Sequence, residues 1–541
     1  MSFLSLTFAL FLTIVCIIYY LFPKRYRWTV LLVASYYFYF QYDWRLSIFL
    51  IITTITVYLS ACSFDYINQN QKDIFLEKSE EWLNENKKKY QQKFKIQKRW
   101  LLTLCLIFNF GILVFFKYYM LLSFIIDPFL SGIGLLGLKL LIPLGISYYT
   151  FQVSGYLIDC FYGKVQAEKN IFKLALFTSF FPQLIQGPIS RFEQLQPQLI
   201  QGNKLKYSHI RDGVILMIWG AFKMICISVP CMVVFNSLTG QGMLGGIDII
   251  IAMIAFSLYV YTSFSGGIDI TRGAAQLFGI DMTENFRRPF FATGVGDFWR
   301  RWHITLGAWM RDYVFYPISL SKRFNKINKT FRKRWNNNFG KIMPTCFVMF
   351  FVFFLVGMWH GIELKYVFYG LYMGIFVSAG IFMQDPLRKS GKKHPNLTKK
   401  NKFIYVLAVL ATFVIILFGR FIIAAPNISV SFQWFIKLFD VSGGKDFIRA
   451  CIQILWVNNK WTSTWFLRAG ITLFQARTLI ISCACLFIVS LMQERGIKIR
   501  EYITKKSALL RLGIYIFVLF MIVLCVEWEG GKEIVFFYEQ Y

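Results

Sequence analysis

The sequence predicts an all-α, polytopic integral membrane protein, and three observations carry that prediction. Of the 541 residues, 56% are hydrophobic, 19% aromatic and only 16% charged, with a mean hydropathy of +0.51. A soluble domain carries roughly a quarter charged residues. Apolar runs near the length of a bilayer span recur from one end of the chain to the other. These runs lack period-two alternation, and in lipid a backbone must satisfy its own hydrogen bonds, so helices are expected rather than a closed barrel. About eleven to thirteen membrane segments, re-entrant ones included, fit the chain at roughly 20 residues each. They form a single membrane domain over 1–541, with no internal repeat and no soluble domain of any size.

Taken in order, Ser2 to Leu21 reads as a retained first span. Its N-terminal side lacks positive charge and no small-residue cleavage site follows, unlike a signal peptide. Lys24, Arg25 and Arg27 place the next turn inside. Trp28 to Phe40 and Leu46 to Cys62 are further spans, and residues 65–100 are a basic cytoplasmic loop with helical stretches. Trp100 to Ile126 crosses outward and Leu138 to Cys160 returns. Within residues 171–198, the stretch Phe180 to Arg191 holds two prolines and a glycine in an apolar-polar mixture, the pattern of a re-entrant segment. Gly213 to Phe235 and Ile249 to Phe264 are spans. Residues 320–342 are a second cytoplasmic loop, with eight basic residues and no acidic one between Lys322 and Lys341. Pro344 to Trp359 crosses outward, Leu364 to Met383 returns, and 385–402 is a third basic inner loop. Phe403 to Ile423 crosses out, and 425–475, with Trp434, Trp456, Trp461 and Trp465, suits helices at the outer interface. Thr478 to Met492 crosses in, Leu509 to Val526 crosses out, and 527–541 is an extracytoplasmic tail.

The formal charge of +31 does not point to nucleic acid, because the basic residues cluster between apolar runs. Lys and Arg in short loops are what hold those loops on the cytoplasmic side, where they also meet anionic headgroups. The eleven cysteines are scattered, without a CxxC pair. They read as small buried hydrophobes rather than a metal site or a disulfide framework.

Chemistry concentrates between Asp297 and Gly361. The chain has four histidines, and two of them bracket this stretch: His303 closes Phe298-Trp299-Arg300-Arg301-Trp302-His303, and His360 sits within Trp359-His360-Gly361. Histidine exchanges a proton near neutral pH, and an ionisable group at a membrane segment is a functional hypothesis by default.

These motifs occur in order with Ile142-Pro143-Leu144-Gly145-Ile146-Ser147, Phe181-Pro182-Gln183, Gly187-Pro188-Ile189 and Asn285-Phe286-Arg287-Arg288-Pro289-Phe290. The set resembles the membrane-bound O-acyltransferase (MBOAT) family over nearly the whole chain. It is most similar to the bacterial branch that includes the alginate O-acetylation protein, with the teichoic-acid D-alanyl transfer protein as a cousin. The resemblance implies a helical bundle with a central tunnel or funnel, an acyl donor arriving from the cytoplasm and an acceptor modified outside. It puts the family's near-invariant histidine on His360 and a second on His303. One departure stands out. Relatives often carry a further histidine in a Gly-Leu-x-His-Gly pattern, where this chain has Gly370-Leu371-Tyr372-Met373-Gly374.

Acyl transfer to a hydroxyl needs a base for its proton and donors for the oxyanion. His360 is the candidate base, with His303 either catalytic or orienting. Trp302, Arg301, Trp359, Arg311 and Asp312 are candidates for donor binding or for lining the tunnel. Asp269 and Asp159 read as structural partners for cations. The ending Phe536-Phe537-Tyr538-Glu539-Gln540-Tyr541 is similar to the aromatic tail of several bacterial relatives. There Tyr538 is a candidate covalent acyl relay, and an aromatic interfacial anchor is the plainer alternative.

The expected function is transfer of an acyl group, acetyl from acetyl-CoA, across the bacterial cell membrane for O-acetylation of a surface or exported polysaccharide. A separate extracytoplasmic acetyltransferase is a possible partner, and no cofactor is expected to stay bound. D-alanyl transfer from a carrier protein to teichoic acid is the alternative within the class. A transporter or lipid flippase, which also uses broken helices and intramembrane charge, is the rival from another class, and a structural scaffold is a third.

Overall fold

The computed structural model describes residues 3–77, 84–132, 143–184, 186–240, 245–335, 338–361, 363–389, 401–455 and 463–526, and among these there is no strand. Nine stretches of the described residues are long and apolar enough to cross a membrane, where the sequence suggested about eleven to thirteen. The difference has three sources. Leu6–Leu21 is short, Arg27–Asp43 and Ser47–Glu77 run together through a single 3-10 turn, and the chain from 146 to 200 is cut into short helices.

Two of the regions read as loops carry helix. The described residues of 65–100, where helical stretches were expected, are the end of Ser47–Glu77 and the start of Asn84–Gly132, with Lys98 Nζ donating to Asn68 Oδ1 at 2.7 Å. The basic 320–342 segment contains the helix Lys322–Arg334, capped by the Ser321 hydroxyl. Phe324, Ile327 and Phe331 recur at helical spacing there, so the segment is amphipathic. Phe331 packs 6.1 Å from Phe347 of the helix Asn338–His360. Spans also begin at side-chain caps that accept orphan amide protons: Asn401 ahead of Lys402–Ala424, and a Thr472–Gln475 capping box ahead of Leu473–Glu494.

The chain forms two compact units, one of Met1–Val214 with Thr271–Thr283, the other of Ile215–Ile270 with Glu284–Tyr541. In the first, Arg27 is buried rather than facing the cytoplasm. Its guanidinium donates to Phe22 O at 3.0 Å, Tyr20 O at 2.9 Å and Asn203 O, closing the end of Leu6–Leu21. Two sequence motifs meet in the interior of this unit. Gly145 adopts φ +68, and a Cβ there would stand 1.9 Å from Leu184 O. Gln183 Nε2 donates to Gln152 Oε1 at 2.9 Å, and both amides donate to Phe177 O.

The helix Gly246–Leu277, whose residues up to Ile270 belong to the second unit, runs straight through Ser263-Phe264-Ser265-Gly266-Gly267, beyond the span end expected at Phe264. Lys223 Nζ pairs with Asp269 Oδ2 at 2.7 Å and donates to Ser265 Oγ at 3.0 Å, so Asp269 is a structural partner for a cation. Asp159, in the first unit, pairs with Lys164 at 3.4 Å. The helices Asn338–His360 and Leu364–Lys389 pack closely because glycines face each other. A Cβ on Gly357 would meet Tyr366 O at 2.4 Å, and one on Gly370 would meet Phe353 O at 2.4 Å.

Candidate functional site

His303 stands at the N-cap of Ile304–Met310 with φ 47, and Arg288 is the other non-glycine residue at positive φ among the described residues. Such a conformation costs about 1–3 kcal/mol and persists only when its surroundings hold it. The holding is done by the Asn285 segment. Ile304 N donates to Asn285 O at 3.0 Å, and Arg287 N donates to Arg301 O at 2.9 Å. Thr305 N and Oγ1 both donate to Asn285 Oδ1, at 3.0 and 2.9 Å. The two motifs, Asn285 to Phe290 and Phe298 to His303, are therefore laced together by main-chain and side-chain hydrogen bonds.

The His303 ring is buried, 2% exposed. Phe264 meets it edge-on at 4.9 Å, and Phe286 meets Phe264 at 4.9 Å. Burial pushes its pKa down to about 3, so the imidazole is neutral at physiological pH. On its other side lies Trp359, 6.0 Å between ring centroids. Trp359 in turn lies 4.7 Å from His360, the last residue of Asn338–His360. The half-buried His360 has Tyr366 and Tyr369 at 6.4 and 6.3 Å. The two histidines that bracket the central stretch in sequence thus converge on one indole. Chemically this is a pair of imidazoles in aromatic surroundings, one deeply buried and neutral, the other more open.

Of the other expected site residues, Trp302 is buried against Phe286 at 5.0 Å and Phe298 at 5.4 Å, and the Arg420 guanidinium lies over its face at 4.6 Å. Arg301 is tied to Glu494 at 2.9 Å and to Asp297 at 2.9 Å, and Arg288 shares the same glutamate at 2.8 Å. Arg311 and Asp312 pair with each other at 2.9 Å near the surface. Tyr538 and the rest of the 527–541 tail lie outside the described residues, as does most of the 385–402 loop. Met373 is fully buried, and its methyl would stand 2.3 Å from a Cβ placed on Gly419, so it serves packing.

Sequence reasoning missed Phe264, Tyr369, Glu494 and Arg420. Two of these left a signal. Arg420 is the only charge in the apolar run from Phe403 to Ile423, and Glu494 is an acid at the edge of a basic loop.

The family model for membrane-bound O-acyltransferases matches residues 166–332, which include His303 and the Asn285 motif. The chain is 27% identical to a probable alginate O-acetylase of Pseudomonas syringae pv. tomato, over 88% of this chain and 79% of that protein. It is 29% identical to a teichoic acid D-alanyltransferase of Bacillus subtilis, over 52% of this chain and 68% of the relative. It is 30% identical to a peptidoglycan O-acetyltransferase of Helicobacter pylori, over 53% of this chain and 56% of the relative.

Proposed function

We propose that this chain, a multi-pass membrane O-acyltransferase of the MBOAT type, moves an acetyl group from cytoplasmic acetyl-CoA across the bacterial cell membrane for O-acetylation of a surface or exported polysaccharide. The observation that carries this reading is the convergence of His303 and His360 on Trp359, in a chain similar along most of its length to a probable alginate O-acetylase. His360 is the base that takes the proton of the attacking hydroxyl, the step for which a histidine at the mouth of an apolar site is suited. His303, neutral and enclosed by Phe264 and Trp359, orients the site. Trp302 and Trp359 line it, and Arg311 and Asp312 lie toward the donor. Tyr538 carries the acyl group onward as a phenolic ester, and a separate extracytoplasmic acetyltransferase completes delivery to the polymer.

The test is the O-acetyl content of surface polysaccharide, by base-released acetate and NMR, in cells with the wild-type chain, with His360→Ala, and without the gene. Equal loss in the last two supports the reading, provided the variant still accumulates in the membrane. Unchanged acetyl with loss of ester-linked D-alanine transfers the assignment to the second reading, which the match to teichoic acid D-alanyltransferases supports. If neither ester changes, acyl transfer to a surface polymer is not the function. Full acceptor modification in Tyr538→Phe cells would remove the relay.

A further inference from the structure

Six charged side chains are buried in the described residues: Arg27, Asp159, Lys223, Asp248, Lys365 and Arg420. Five have their charge met. Arg27 donates to three carbonyls, and Asp159 pairs with Lys164. Lys223 pairs with Asp269, and Asp248 accepts from Arg468 and the Trp465 indole. Lys365 pairs with Glu363 and donates to Ala425 O and Pro426 O. Arg420 differs. It is 5% exposed, and its one contact of this kind among the described residues is the face of Trp302, at 4.6 Å.

A cation over the face of an indole is attracted by the ring's negative face, the more so where water is excluded. The ring contact is made with the guanidinium carbon, 4.6 Å from the centroid, and uses none of the N–H donors. A cation drawn away from bulk water without a counter-charge is unfavourable, and a bound anion would relieve it. Arg420 also does not escape by snorkelling, since the side chain stays inside. The position is next to the acyl-transfer cluster. Trp302 precedes His303, and Tyr369 lies 6.3 Å from His360. The preceding Gly419 approaches Tyr369 and Met373 closely, which brings the arginine's helix against the His360 side of the site.

We propose that Arg420 is an anion-binding residue of this site. It holds an anion that offers two oxygens, a carboxylate or a phosphate of the substrate, through its N–H groups while the Trp302 ring flanks the guanidinium. The inference rests on the acyltransferase reading for the identity of the substrates. Two sources offer that chemistry: the phosphates of the acyl donor and an acidic group on the acceptor.

The experiment uses the purified full-length protein in detergent. CoA and a uronic-acid disaccharide are titrated separately, with thermal melting as the readout, into wild type, Arg420→Gln and Arg420→Lys. In wild type one probe raises the melting temperature, and which one does so names the source. Arg420→Gln loses that shift. Arg420→Lys keeps the charge but not the fork and binds the same probe at least about tenfold more weakly, as expected for one lost hydrogen bond to a charged group. In the transfer assay the KM for the same ligand rises by a similar factor while kcat moves less. If Arg420→Gln does not fold, Arg420→Lys decides. No shift with either probe in wild type, or affinities unchanged in the variants, overturns the proposal. Melting does not require turnover, so a wild-type protein that binds CoA yet transfers no acetyl counts against the acetyltransferase reading and leaves the arginine's role standing.

Discussion

Asn285→Ala isolates the brace that holds His303. The Asn285 side-chain oxygen accepts two protons, from Thr305 N at 3.0 Å and Thr305 Oγ1 at 2.9 Å. Each neutral hydrogen bond is worth about 0.5–1.5 kcal/mol net, and the buried Thr305 amide left behind adds an unmet-donor penalty of about 1–3 kcal/mol. The expected loss is therefore about 2–4 kcal/mol, from a substitution that changes no apolar contact of the histidine itself. Thr305→Val removes only the hydroxyl donor and costs about 1 kcal/mol. Once Asn285 is gone the bond from the hydroxyl to it is already lost, so the double variant costs about 1 kcal/mol less than the sum of the two. Thermal melting in detergent measures the cycle, and transfer activity at a temperature where all variants are folded measures the effect on the site. Activity falls further in Asn285→Ala than in Thr305→Val, because the first also frees the backbone beside His303. Additive losses, or a wild-type melting temperature and activity in Asn285→Ala, would refute the bracing argument.

Three further outcomes follow from the geometry. Gly145→Ala forces a Cβ to within 1.9 Å of Leu184 O at φ +68; about 1–2 kcal/mol of left-handed strain plus about 1–3 kcal/mol of overpacking is expected to cut the yield of monodisperse protein on size-exclusion chromatography. His303 titrates near 6.5 in an unfolded chain and is held down to about 3 by burial in the folded one. Between those values the unfolded state binds the extra proton, so stability falls as pH drops below about 6.5, by at most about 1.4 kcal/mol per pH unit; melting curves from pH 4 to 8 show that slope, and His303→Gln removes it. Glu494→Gln takes the paired carboxylate from Arg288 and leaves Arg301 with Asp297; the groups are partly exposed, so a loss of about 1–2 kcal/mol is expected, and a wild-type melting temperature at low salt would show the pairing to be idle.

Much of the bundle was legible because lipid makes periodicity and charge placement almost sufficient. The helices Lys402–Ala424 and Ala508–Val526 begin and end within a few residues of the apolar runs that announce them. The sequence misled where tertiary contact replaces solvent. Arg27 reads as a cytoplasmic anchor but closes a helix end from inside. The span read as ending at Phe264 continues through 266–267, where Gly266 lies against Gly220 O. The site was half legible. Rare histidines beside tryptophans marked the two rings, and motif order gave a resemblance to one family. That Asn285 would clamp the histidine's backbone, or that Arg420 would lie on Trp302, depends on pairs 20 and more than 100 residues apart in the chain. No local pattern encodes such pairs.

The indole between the two histidines also gives the site an optical reporter. An excited tryptophan passes an electron to a protonated imidazole in van der Waals range far more readily than to a neutral one. With Trp359 and His360 4.7 Å apart, the Trp359 emission, isolated as the difference between wild type and Trp359→Phe, dims as His360 takes up its proton. A fluorescence titration thus follows that proton directly, and stopped-flow mixing with a substrate times its transfer within a single turnover.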